Sequence, residues 1–136
     1  MNRPLYESDG DVKREGEVLK ELESRWGYRF VKVPIKYGFD YAVLRGRDVL
    51  GVAEIKCRNY RYEELDRLGG YMLGLHKVGM MRVSGLAGVL VVKLVDEVYW
   101  TKDISGRVVV GGRRDRGDPE DIEPCVLVPM ERFKRL

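Results

Sequence analysis

The segment Gly51-Val52-Ala53-Glu54-Ile55-Lys56-Cys57 sets a carboxylate and an ammonium group into an otherwise apolar run. Side chains alternate across a strand, so Glu54 and Lys56 share one face, and Ala53, Ile55 and Cys57 the other. Two charges on a central strand are costly unless something pairs them. Upstream, Asp40 opens a second apolar run, Tyr41-Ala42-Val43-Leu44. A turn at Arg45-Gly46-Arg47-Asp48 folds the two runs into an antiparallel hairpin that can bring Asp40 beside Glu54. Carboxylates aimed at one spot repel each other unless a cation sits between them. Their hard oxygens suit Mg²⁺, which takes one or two protein carboxylates and fills its other positions with water and phosphate oxygens. A lysine nearby can orient or deprotonate a water, or stabilise charge building on a pentavalent phosphorus.

A fourth group comes from helical phase. Val18, Leu19, Leu22 and Trp26 fall on one face of a helix, and Glu15 lies near the middle of that stripe. Glu17 and Glu21 fall on the opposite, solvent side. A glutamate on the sheet-facing side needs a partner, which makes Glu15 the acidic candidate from this element. Each group has a plainer use. Asp40 could cap a strand, Glu54 and Lys56 could be a solvent pair on an edge strand, and Glu15 could be a wet residue of a first helical turn. Their joint placement on helix, strand and strand favours a common site.

The elements that would position these groups follow from pattern. A helix is predicted over about Val12 to Trp26, capped by Asp9 or Asp11 and stopped at Gly27. Tyr28 to Val33, Asp40 to Leu44 and Val49 to Cys57 read as strands. A second helix is predicted over about Tyr62 to Val78, with Leu65, Leu68, Met72 and Leu75 as its stripe. Gly69, Gly70 and Gly74 fall inside it, at roughly 1 kcal/mol each relative to alanine, for close packing on the sheet or close approach of a partner. Strands follow over Ala87 to Val95, Val98 to Thr101, Arg107 to Val110 and Cys125 to Val128, and Pro129 opens a short terminal helix. Gly111 to Glu123 is a charged loop carrying Arg113, Arg114 and Arg116. The order is α-β-β-β-α-β and then more strands. The expected fold class is α/β, a central mixed β-sheet flanked by α-helices.

Composition narrows the chemistry. At 136 residues the chain has the size of one domain, 1–136, with a polar arm over about 1–10. A formal charge of +3 permits a polyanionic partner without demanding one. His76 is the single histidine, which leaves a structural zinc site short of ligands and excludes an HExxH helix. There is no Gly-x-Ser-x-Gly elbow and no P-loop. Hydrolysis would therefore rest on carboxylates, lysines and a hard metal ion. Cys57 and Cys125 read as buried free thiols, which fits a reducing cytoplasm. The first residues lack a signal peptide's apolar core, and the longest apolar run, near Gly85 to Val92, is too short to span a membrane.

With these residues in view, the sequence resembles the PD-(D/E)XK nuclease superfamily. Asp40, followed after a hairpin by Glu54-Ile55-Lys56, resembles its Asp…Glu-x-Lys signature, and Gly38-Phe39-Asp40 its approach to the strand aspartate. The segment Arg14 to Leu22 is similar to the opening helix of archaeal Holliday junction resolvases, where a glutamate precedes apolar residues in the register of Val18, Leu19 and Leu22. The likeness covers about residues 12–78. Phe39 stands where a proline is frequent, and the helix after Lys56 lacks the glutamine some subfamilies use. Tyr71 or Lys77 could stand in for it.

The resemblance implies a restriction-endonuclease-like core and Mg²⁺-dependent phosphodiester hydrolysis, with Mn²⁺ able to substitute. Asp40, Glu54 and the main-chain carbonyl of Ile55 would hold the metal, Lys56 would act on the water, and Glu15 would complete the site or help hold a second ion. DNA is the expected substrate, structured or branched DNA among the options, and many relatives are homodimers. Arg45 and Arg47 on the turn, with Arg58, Tyr60 and Arg61 after Lys56, are the candidate nucleic-acid contacts, since arginines reach phosphates and tyrosines stack on bases. Two other readings are a non-catalytic nucleic-acid-binding domain on the same fold, and an interaction domain using the glycine-rich helix as a dimer face.

Overall fold

A computed structural model of the chain describes residues 9–34, 39–112 and 122–136. The proposed arm (apart from its last two residues), Gly38 and the three loop arginines lie outside the described residues.

The first helix, α1 (Asp9–Trp26), begins earlier than its apolar pattern indicates, so Asp11 lies within it. It ends before Gly27, as expected. Val18 and Leu22 are buried, Leu19 and Trp26 pack partly against the same cluster, and Glu17 and Glu21 face solvent. Burial of this stripe holds the helix on the sheet.

The hairpin forms as the alternation predicts. β1 (Arg29–Lys32) pairs antiparallel with β2 (Tyr41–Arg45), and β2 pairs antiparallel with β3 (Asp48–Cys57). Tyr41 lies opposite Ala53 and Val43 opposite Gly51, with a bulge before Leu44. β3 then pairs in parallel with β5 (Ala87–Lys93), which places Glu54 opposite Leu90 and Lys56 opposite Val92. β6 (Val98–Thr101) and the short β9 (Lys134–Arg135) complete a mixed six-stranded sheet in the order β1-β2-β3-β5-β6-β9.

The segment after Lys56 departs from the single helix of the pattern. It forms α2 (Tyr62–Arg67), then β4 (Tyr71–Gly74), then α3 (Leu75–Val83). Gly69 and Gly70 take φ of +98° and +138°, backbone that side chains oppose, and this ends α2. A Cβ on Gly70 would overlap the Val128 carbonyl. The glycines thus serve close packing of one strand on another. β4 pairs with β8 (Ile122–Val128), and β8 with β7 (Arg107–Gly112), as a separate three-stranded antiparallel sheet. A 3-10 turn follows at Met130–Arg132, where the pattern predicts a short helix.

The main sheet therefore has two covered faces. Tyr41, Val43, Ala53, Ile55, Val89 and Val91 pack with α1. Val52, Leu90 and Val92 pack with Leu65, Tyr71, Leu73, Val78, Met81, Val126 and Val128 from the other side. No disulfide joins Cys57 and Cys125; Cys125 is buried and Cys57 half-buried. No described helix is long and apolar enough to cross a membrane.

Candidate active site

Asp40 is held by its backbone before its side chain does anything. Its N–H donates to the Ala53 carbonyl at 3.2 Å, and its own carbonyl accepts from the Val33 N–H at 3.0 Å. It therefore continues the ladder of β2 by one residue and reaches the level of Glu54. Glu54 and Lys56 leave β3 on the side of Val52, the face covered by β4, α3 and β8.

Four charged groups meet there. Lys56 Nζ lies 3.1 Å from Asp40 Oδ2 and 3.7 Å from Glu54 Oε2. Lys77 Nζ, from the first turn of α3, lies 3.0 Å from Glu54 Oε1 and 3.8 Å from Asp40 Oδ1. Each lysine thus bridges a different pair of carboxylate oxygens. The Glu54 side chain is fully buried, and that of Asp40 is 18% exposed. The two short contacts, Lys56 to Asp40 Oδ2 and Lys77 to Glu54 Oε1, are what these buried oxygens have in place of backbone partners.

Burial and the neighbouring Asp40 charge push the Glu54 carboxyl up to about 7, against the pull of Lys56 and Lys77. Burial pushes Asp40 the same way, but the two lysine charges outweigh it, and its carboxyl ends below the usual aspartate value. Burial opposes the charge on Lys56, yet Asp40 and Glu54 outweigh it and raise the lysine. The two carboxylates differ because Glu54 is the deeper. Shifted carboxyl groups of this kind cluster at functional sites and also occur in structural ion-pair networks.

Glu15 is buried, 8% exposed, where helical phase places it. It lies on the α1 side and accepts a hydrogen bond from the Tyr41 hydroxyl at 3.0 Å. Burial raises its carboxyl, the Tyr41 hydrogen bond opposes this, and the charges of Lys56 and Asp40 are felt there. Among the described residues no three acidic, histidine or cysteine groups converge on one point, so Glu15 stands beside the Asp40–Glu54 pair and not within it.

Ile55 is fully buried in the α1-facing cluster, and its main chain joins the two site residues. Arg58 follows the site strand, donates to the Cys57 carbonyl at 3.0 Å and stands 5.9 Å from the Tyr71 ring centre. Tyr60 is 42% exposed, and Arg61 is exposed at the start of α2, its N–H bound by Glu64. Arg45 and Arg47 are exposed at the hairpin turn, the opposite end from the carboxylates. Five residues from Asp40 to Arg45 span roughly 16 Å of strand. Arg45 instead stacks on Tyr28, 5.1 Å from its ring centre.

Of the two residues considered in place of the missing glutamine, Tyr71 is buried in β4, and Lys77 enters the charged cluster. Its placement depends on the Gly69-Gly70 break, which helical phase alone does not reveal. A cavity of about 460 Å³ lies elsewhere, lined by Trp26, Phe30, Gly51 and Trp100 and by no carboxylate, so the charged cluster is not part of it.

The residues fit a hard divalent cation. Two facing carboxylates carry three buried oxygens whose near partners are two lysine ammonium groups, a cation-binding donor set. Mg²⁺ needs no third carboxylate, because water and phosphate oxygens complete its shell.

A mixed sheet with helices against it, crossed by this hairpin, is a restriction-endonuclease-like fold, and the class is that of the PD-(D/E)XK nucleases. The whole chain, residues 1–136, matches the family described as "Phage putative PDDEXK endonuclease". The chain belongs to that family. No curated protein matches it. Nucleases of this superfamily generally use divalent metals, and nucleic acid is their substrate.

Proposed function

We propose that the chain is a divalent-metal-dependent endodeoxyribonuclease that works at the Asp40–Glu54–Lys56 cluster. The observation that carries this reading is the buried pair of facing carboxylates, whose charge is met by the ammonium groups of Lys56 and Lys77. Asp40, Glu54 and the Ile55 carbonyl would hold Mg²⁺, or Mn²⁺ in its place. The bound ion would supply Lewis-acid polarisation of the phosphate and a more acidic water. Lys56, paired to both carboxylates, would orient the attacking water and stabilise charge on the phosphorus. Glu15, held by Tyr41, would support the site from the α1 side. Arg58, Tyr60 and Arg61 leave the site end of β3 and would carry the flanking backbone. Arg45 and Arg47 would reach only a longer stretch of nucleic acid. Branched DNA is the proposed substrate on the likeness of the Glu15 helix to resolvases, and a two-fold substrate would suit a homodimer.

A panel of single-stranded, duplex and four-way-junction DNA, incubated with Mg²⁺, Mn²⁺ or chelator, tests the reading. Cleavage is expected with metal only, and most on the junction. Salt-sensitive binding with no cleavage under any ion would instead favour a binding domain on the same fold.

A further inference from the structure

We propose that Lys77 is a built-in counter-ion that holds the cation position between Asp40 Oδ1 and Glu54 Oε1, and that a divalent ion enters only by displacing it. The inference rests on the metal-dependent reading above and adds a residue and an order of events to it.

The geometry separates the two lysines. Lys56 faces Asp40 Oδ2 and Glu54 Oε2, and its stem is rooted on the same strand as Glu54. Lys77 faces the other pair of oxygens, Asp40 Oδ1 and Glu54 Oε1, from across the fold. It sits in the first turn of the nine-residue α3, and Val78 and Met81, not Lys77, anchor that helix in the core. A flexible four-carbon stem lets its ammonium withdraw without moving the helix.

Charge sets the order. With both carboxyls ionised, two carboxylates and two ammonium groups balance. A divalent cation added to this balanced set would leave two uncompensated positive charges in a buried place, which is costly. Departure of Lys77 removes one of them, and a single phosphodiester neutralises the other. Once displaced, the ammonium, whose side chain is 18% exposed in the paired state, would be available to an incoming phosphate. In the metal-free protein the same lysine suppresses repulsion between the two acids, which lets the site stay folded while empty.

Calorimetric titration of Mn²⁺ into the full chain, without nucleic acid, tests this in wild type, K77Q and K77R. Glutamine can still donate to Glu54 but carries no charge. K77Q should bind Mn²⁺ at least about tenfold more tightly than wild type, and K77R, which keeps the cation, should stay near wild type. Circular dichroism confirms that the variants are folded. Without any functional variant, the ¹³Cε signal of Lys77, assigned by its loss in K77R, should shift when wild type is saturated with Mg²⁺. Equal or weaker Mn²⁺ binding by K77Q, or an unmoved Lys77 signal at saturation, would overturn the proposal alone. If neither wild type nor K77Q binds a divalent ion, the metal-dependent reading falls with it.

Discussion

The Lys77 ammonium lies 3.0 Å from Glu54 Oε1, so a helix beyond two intervening elements closes a site begun on the central strand. The site is consequently built from one strand hairpin and one helix, with Glu15 of α1 on the far side.

Metal should stabilise the folded chain through this cluster. A ligand that binds only the folded state at a hundredfold excess over its Kd adds about 2.7 kcal/mol. Thermal melts with Mg²⁺ or Mn²⁺ should rise by several degrees over melts in chelator. Glu54→Gln should abolish the rise. An equal rise in that variant would place the ion elsewhere.

Stability of the metal-free protein should fall as pH rises above 4.5. Burial raises the Glu15 carboxyl in the folded state, so its share of stability is complete below the unfolded value of 4.5 and is lost as pH climbs through the raised value. Glu54, pushed up to about 7, acts with the same sign. Glu15→Gln keeps an acceptor for the Tyr41 hydroxyl but has no charge to bury. Urea midpoints should therefore decline less with pH in that variant, and at pH 8 it should be the more stable. A pH profile parallel to wild type would deny Glu15 its buried charge.

Much of the geometry of this cluster is legible in the sequence. Glu54 and Lys56 share a face because a strand alternates, and Asp40 reaches them because the hairpin turn is short; both are local facts. Helical phase chose Glu15 over Glu17, and Glu15 is the buried one. The region after Lys56 was less legible. Its apolar spacing fits one helix, but pairing of Tyr71–Gly74 with the distant β8 makes a strand there. That contact is non-local, and periodicity within a window does not register it. The place of Lys77 depends on this break, so its sequence position alone offers it only as a stand-in for a glutamine. Arg45 and Arg47 sit on the turn that joins the two site strands, and the antiparallel pairing carries that turn to the end remote from Asp40.

Gly70 should tolerate no side chain. Its φ of +138° and its contact with the Val128 carbonyl leave no room for a Cβ. Gly70→Ala should cost roughly 2–4 kcal/mol in urea unfolding. Because Gly70 sets where β4 and then α3 begin, the variant should also weaken cleavage where it remains folded. Unchanged stability would contradict the strand-on-strand packing described for it.

The arginines should differ in their effect on DNA. Arg58→Ala should weaken binding and reduce the slope of log affinity against log salt by about 0.7–0.9, the value for one lost phosphate contact. Arg45→Ala should leave binding of a short duplex near wild type, since Arg45 stands at the remote end and stacks on Tyr28. The reverse ranking would move the nucleic-acid path to the hairpin turn.

The central claim is most directly tested by cleavage of junction and duplex DNA with Mg²⁺ by wild type, Glu54→Gln and Lys56→Met, each shown folded by circular dichroism. Loss of a positioned charge at the reacting group removes about 10²–10⁴-fold in rate. Wild type should cut, and both variants should fall by at least that range while remaining folded. Undiminished cleavage by both variants would contradict the account.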